Sequence, residues 1–183
     1  MESIFETYYW QNDSVRLRSV MPSDSEYNYT LSFDVLGIAF VAAEMPLPPV
    51  RRLINDDEIQ HNNASPGFII ETLSGDYIGG IHFNYINERH GTFSIGMVIL
   101  NEQRGKGFGK AAMSILFEYA FNERRLHKFE GFCLDENIAS AKMMESLGCI
   151  LEGTSREAVF YNGKYHSRLL YGLLENEYRQ RTK

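Results

Sequence analysis

Cysteine is scarce in this chain, at two in 183 residues, and no apolar run approaches the roughly 20 residues that a membrane helix needs. Two cysteines cannot make a disulfide scaffold. Gly131-Phe132-Cys133-Leu134 and Gly148-Cys149-Ile150 read instead as small apolar packing positions holding free, structural thiols. Positive charge is short too: 18 Lys and Arg stand against 24 Asp and Glu, a formal charge of −6, with no long block of one sign. That balance argues against a nucleic-acid backbone binder, which needs a basic face, and suits a cationic small substrate. Met1-Glu2-Ser3-Ile4-Phe5-Glu6 lacks the basic start and apolar stretch of a secretory signal. The expectation is a cytoplasmic protein without membrane contact.

Repeats and low-complexity linkers are also missing, so one domain over residues 1–183 is expected, folded from Val15 to Glu177, with 1–14 as an amino-terminal extension and 178–183 as a tail. Val15-Arg16-Leu17-Arg18 alternates like a strand, and Pro22-Ser23-Asp24 offers turn and N-cap chemistry for a helix through Tyr27 and Leu31. Pro46, Pro48 and Pro49 interrupt any continuous helix, and a second helix follows from Val50 to His61. The period then changes. Phe68–Thr72, Tyr77–Phe83 and Thr92–Ile99 are β-rich runs separated by turn-like Ser74-Gly75-Asp76 and Asn87–Gly91, which predicts an antiparallel meander. Phe108, Ala111, Ala112, Ile115, Leu116 and Tyr119 recur three and four apart, the buried stripe of an amphipathic helix. A strand over Lys128–Leu134, a helix over Ile138–Leu147 between Asn137 and Gly148, and a hairpin of Ile150–Phe160 and Tyr165–Leu174 around Asn162-Gly163 complete an α+β order. Arg156 and Glu157 read as a solvated strand edge, and Arg179 to Lys183 as a frayed tail.

Between the last meander strand and the amphipathic helix lies Gln103-Arg104-Gly105-Lys106-Gly107-Phe108-Gly109-Lys110. Open N–H groups and the dipole at a helix start favour an anion, and glycines let a phosphate approach without a Cβ clash. Arg104, Lys106 and Lys110 add positive charge. Spacing separates the phosphate loops. A P-loop needs a glycine where Arg104 stands and a magnesium-binding hydroxyl where Ala111 stands, which also argues against nucleotide hydrolysis. A dinucleotide fingerprint needs glycine at Lys110 and a βαβ setting rather than a meander. Arg104-Gly105-Lys106-Gly107-Phe108-Gly109 instead matches Arg/Gln-x-x-Gly-x-Gly/Ala.

With that loop the chain resembles the GCN5-related N-acetyltransferases, in which it grips the pyrophosphate of coenzyme A. It is similar, more narrowly, to their ribosomal-protein-alanine acetyltransferase-like (RimJ/RimL-type) branch through Asn137-Ile138-Ala139-Ser140-Ala141-Lys142, Leu147-Gly148, Glu152-Gly153, Arg156 and Asn162-Gly163-Lys164-Tyr165-His166. The resemblance implies a mostly antiparallel sheet, splayed at the cofactor and flanked by helices, and direct transfer of acetyl from acetyl-CoA to a primary amine. The acceptor is a protein amino terminus or a small amine. A non-catalytic coenzyme-A-binding module is the alternative.

The resemblance also assigns residues. Gln103 through Lys110 hold the pyrophosphate, and the backbone of Met97, Val98 and Ile99 bonds the pantetheine arm and thioester carbonyl. Asn137 and Lys142 lie where the family contacts cofactor, Asn137 serving equally as an N-cap. Many relatives carry an acidic tyrosine seven residues after this asparagine, but Met144 stands there, and the branch resemblance points to Ser140 as the proton donor to the thiolate. Glu71 and His82, on the first and second meander strands, are the candidate bases. His166 matches the branch pattern, although Ser167 stands where relatives often have aspartate. Tyr8, Tyr9 and Trp10 pack the amino-terminal segment, cover the acceptor pocket or meet a second subunit of a homodimer.

Overall fold

A computed structural model describes residues 9–27 and 67–181. The expected helix beyond Tyr27, the Pro46–Pro49 break, the helix from Val50 to His61 and Tyr8 lie outside the described residues. Strand β1 (Arg16–Ser19) leads into a 3₁₀ turn (Pro22–Asp24). Asp24 is its third residue and not its N-cap: the carboxylate reaches back to accept the Met21 N–H at 2.7 Å. Strands β2 (Gly67–Glu71), β3 (Tyr77–Asn87) and β4 (Thr92–Ile99) form the predicted meander, with β3 running four residues past Phe83. Helix α1 (Phe108–Glu118) ends in a π-turn (Tyr119–Glu123). Then come β5 (Lys128–Leu134), α2 (Ile138–Ser146), β6 (Ile150–Tyr161), β7 (Lys164–Leu174) and α3 (Glu175–Arg181). Arg179 is therefore helical and bound to Glu175 one turn back, not part of a frayed end.

The seven strands make one sheet in the order β1-β2-β3-β4-β5-β7-β6, antiparallel except where β4 meets β5. The β6–β7 turn uses Asn162 at φ 48° and Gly163 at φ 81°, the doubly positive geometry that Asn-Gly favours. β6 is the outer strand, and Arg156 and Glu157 are exposed on it as expected.

One face of the sheet carries the core. Phe83 and Phe93 from the meander meet Phe117 and Phe121 from α1 and its π-turn and Phe129 from β5, all at most 1% exposed. Phe93 packs 5.3 Å from Phe121 and 5.6 Å from Phe129, centroid to centroid. Burying each such ring is worth about 1.5–3 kcal/mol. Tyr178 of α3 stacks 4.9 Å from Phe121, which holds the last helix to the same cluster. Trp10 lies 4.8 Å from both Phe68 and Tyr119, and Asn12 Nδ2 donates to Ala111 O at 2.9 Å. Residues 10 to 12 are thus part of the packed body, and Trp10 serves packing. Cys133 and Cys149 sit in this core, where burial pushes their thiols up to about 11 and about 12. No helix among the described residues is long and apolar enough to cross a membrane.

Candidate active site: a bare helix start beside an opened sheet

After β4, a 3₁₀ turn (Asn101–Gln103) carries the chain to the glycine-rich segment. Gly105 at φ 76° and Gly107 at φ 84° occupy the left-handed region that side chains disfavour. A Cβ built at either would meet nothing within 4 Å, so the space before them is open. Gly107 is the N-cap of α1 and offers no capping side chain, and the first turn holds no acid. The first closed bond runs from Ala111 N to Gly107 O at 3.1 Å, so the N–H groups of Phe108, Gly109 and Lys110 have no partner within the helix and face outward. Arg104 braces the turn, donating from Nε to Ile99 O at 3.0 Å and from Nη1 to Asn101 Oδ1 at 3.3 Å. Lys106 Nζ donates to Gln103 Oε1 at 2.9 Å, while Lys110 and Lys142 are exposed. Glycine-only backbone, open space, outward N–H groups and surrounding cations together fit a pyrophosphate.

Beside this loop the sheet comes apart. β4 and β5 share only the registered pairs Thr92↔Lys128 and Phe93↔Phe129. Beyond them the strands diverge toward the end where the loop begins. Leu100 N donates to Ile78 O, so by the two-residue period Leu100 and Val98 turn their backbone groups to β3, and Met97 and Ile99 turn theirs to the gap. Of the three residues expected to line the opening with backbone, Val98 is therefore paired within the meander. The Met97 side chain packs beneath Gly109, where a Cβ would stand 3.0 Å from its methyl and 3.3 Å from the Met143 sulfur. Gly109 thus serves close packing of α1 on β4 and α2.

Alternation sends Ile81 and Phe83 to the core and His82 to the other face. His82 registers with Gly96 of β4, and a Cβ there would lie 2.6 Å from the imidazole Nε2 and 2.5 Å from Asn84 Oδ1. A glycine at 96 therefore lets the imidazole lean over β4 toward the gap. Desolvation against the strands pushes its pKa below the ordinary imidazole value, opposed by a hydrogen bond to Asn84. At neutral pH the ring is uncharged and has a lone pair to offer. At the closed end of the gap on this face, Tyr85 OH donates to Glu130 Oε2 at 2.5 Å, spanning from β3 to β5.

Other expected residues fall elsewhere. Glu71 is buried and gripped by two guanidinium groups, Arg16 Nη1 at 3.3 Å and Arg18 Nε at 2.9 Å, while Arg18 also binds Asp24. A carboxylate so engaged locks β1 to β2, on the side of the sheet away from the gap between β4 and β5. Asn137 caps α2, its Oδ1 accepting from Ser140 N at 3.1 Å. Ser140 is half-buried in that first turn, and Met144 is buried in the core at 3% exposure. His166 is 2% exposed, with Nδ1 3.3 Å from Asp135 Oδ1 and Nε2 3.2 Å from Tyr161 O. Asp135 also accepts from Ser167 N at 3.1 Å. His166 therefore braces the turn that precedes α2 rather than meeting solvent. Glu130, Tyr85 and Asp135 carry no motif of their own; alternation along β5 flags Glu130 only once its register against β4 is known.

The sequence profile of the family described as "Acetyltransferase (GNAT) domain" matches residues 15–150. The chain is 31% identical over 180 residues to the putative ribosomal N-acetyltransferase YdaF of Bacillus subtilis (strain 168), covering 91% of this chain and 94% of that one. It is 29% identical over 122 residues to the spermidine N(1)-acetyltransferase of Vibrio cholerae serotype O1, covering 67% and 70%. The crystal structure of the Vibrio cholerae spermidine N-acetyltransferase in complex with CoA and spermine matches at a TM-score of 0.78 with 25% identity, over 92% of this chain and 99% of that one.

Proposed function

The chain belongs to the GNAT acetyltransferases, enzymes that move an acetyl group from acetyl-CoA to an amine, and we propose how its own residues divide that work. Acetyl-CoA supplies the acetyl group activated as a thioester. The carrying observation is a helix start with bare, positive-φ glycines beside a sheet that opens after two registered pairs. Gln103 through Lys110 hold the pyrophosphate through the outward N–H groups of α1, with Lys106, Lys110 and Lys142 as countercharges. The Met97 and Ile99 backbone groups align the thioester arm and offer a donor where negative charge develops. The amine approaches from the opposite face, where His82 takes its proton directly or through water. Ser140, at the start of α2, returns a proton to the leaving thiolate. Glu71 has no part in proton transfer.

For the acceptor, two supports stand side by side. The relatives in Bacillus subtilis and Vibrio cholerae are described as ribosomal and spermidine acetyltransferases respectively. The Ser140 and Met144 pattern leans toward the ribosomal-protein-alanine branch, hence toward amino-terminal amines, with small amines as the second class. The whole chain acting as one acetyltransferase domain, and its pairing as a homodimer, belong to the same reading. For the homodimer the support is Phe160 and Tyr165, packed edge to face at the β6–β7 turn yet 63% and 65% exposed; light scattering reads that state.

The test is calorimetry with coenzyme A, together with free-thiol release from acetyl-CoA across peptides, polyamines and amine drugs. Binding with release supports the enzyme, and binding without release from any amine leaves a coenzyme-A-responsive module. The absence of both binding and release overturns the assignment. Parent-like thiol release by Ser140→Ala removes Ser140 as the acid.

A further inference from the structure

Across the gap from His82 lies a charge that none of these steps uses. Three residues beyond the last registered pair, Phe93↔Phe129, stand Gly96 on β4 and Phe132 on β5. Phe132 is 37% exposed on the face away from the aromatic core. Arg168 comes from β7, the strand on the far side of β5, where it registers with Leu134. Its side chain crosses back, placing Cζ 4.6 Å from the centre of the Phe132 ring. The guanidinium therefore lies over β5, the strand that borders the opening, on the face away from the aromatic core.

This arginine is half-buried, and its Nε is buried without a hydrogen-bond partner. Among the described residues it makes no ion pair. The other half-buried arginines among the described residues behave differently: Arg16, Arg18 and Arg124 are each spent on a carboxylate. An aromatic ring beneath a guanidinium holds its plane but satisfies none of its five N–H donors. A desolvated donor without an acceptor is costly, and the remedy that fits a planar fork is a carboxylate.

Two residues lower on the same side of β5, at the closed end, Glu130 carries the opposite charge and is tied to Tyr85. The rise of a strand sets Glu130 and Phe132, the residue whose ring carries the guanidinium, about 7 Å apart along β5. The acid at the closed end is thus already tied by a hydrogen bond, whereas the guanidinium is left as the unpaired charge that a carboxylate on the acceptor would meet.

We propose that Arg168, stacked on Phe132, is an acceptor-binding residue that selects amines bearing a carboxylate, short amino-acid or peptide acceptors among them, over amines that carry only positive charge. The proposal rests on the acetyl-transfer reading above and narrows its acceptor. Phe132 and Tyr85–Glu130 shape and polarise the cleft; Arg168 makes the contact.

The experiment compares glycylglycine, its carboxamide glycylglycinamide and spermidine as acceptors, following thiol release for the parent, Arg168→Gln and Arg168→Lys. The parent is expected to favour glycylglycine over the carboxamide by roughly ten- to a hundredfold in kcat/KM, the range of a hydrogen bond to a charged partner. Arg168→Gln collapses that ratio to near one, chiefly through KM, and Arg168→Lys restores part of it. Equal rates for the two dipeptides in the parent, a preference for spermidine, or a ratio unchanged in Arg168→Gln overturns the proposal. So does a loss of coenzyme A affinity in Arg168→Gln without a change in acceptor ratio, which assigns Arg168 to the cofactor. Should no amine release thiol, the transfer reading fails by itself. Calorimetry of N-acetylglycylglycine with the coenzyme A complex then still decides Arg168: binding by the parent and not by Arg168→Gln upholds it, and equal or no binding overturns it.

Discussion

Gly107 combines two demands, a left-handed backbone and empty space before it, and a substitution there tests both at once. Gly107→Ala is expected to weaken coenzyme A binding by roughly tenfold or more in calorimetry. Gly163→Ala, equally left-handed and open but on the β6–β7 turn, should cost similar stability and leave that affinity alone. His82 is tested by pH. Because desolvation lowers its pKa, the neutral base persists to lower pH than an ordinary imidazole near 6.5 allows, so the acid limb of kcat/KM falls below about pH 6.5. His82→Gln should abolish that limb and cut kcat by about a hundredfold or more; an unchanged profile would return the proton to water alone. At this scale the sequence told unevenly. Glycine spacing announces the loop because phosphate binding constrains local backbone. Arg168 and Glu130 announce nothing, because their meaning depends on β7 registering with β5 and β5 parting from β4, contacts between segments remote in sequence.

At the scale of elements, legibility followed the strength of the local pattern. The three-and-four spacing from Phe108 to Tyr119 and the Asn162-Gly163 turn each specify their structure within a few residues. The far half of β3 was hidden because the bulge between Phe83 and Tyr85 breaks its alternation and leaves Asn84 and Tyr85 both exposed. Helix α3 was hidden because charge dominates Glu175 to Arg181 and only Tyr178 carries its apolar contact. The join between α2 and α3 is testable. Gly148 ends α2 at φ 97°, and a Cβ there would stand 2.6 Å from Arg181 Cδ. Gly148→Ala should destabilise by about 1–2 kcal/mol, lowering Tm in a chain of this size by roughly 2–8 °C; an unchanged Tm would mean that the helix end relaxes freely.

For the molecule as a whole, acid is the informative stress. Asp24 is 1% exposed; burial works against its charge, but the Arg18 hydrogen bonds and the Met21 N–H outweigh it and hold the carboxyl below its usual range. A depressed carboxylate contributes stability above its unfolded pKa of about 3.9 and loses it as pH falls through the lower folded value. Asp24→Asn should cost about 1.5–3 kcal/mol near neutrality, and its denaturation midpoint should converge with that of the parent as pH falls through the lowered folded value. Parallel curves throughout would take Asp24 out of the acid response. The whole body also bears on how the cleft meets its ligands. Phe93 and Phe129 form the last rung between β4 and β5, and both are sealed in the aromatic cluster at 0% and 1% exposure. They act as the rivet of a pair of tongs: the jaws part above it, and the rivet itself is held by the packing of five phenylalanines. The mouth is thus set during folding, and an arriving molecule finds it already apart, with little of its binding energy spent on prising strands.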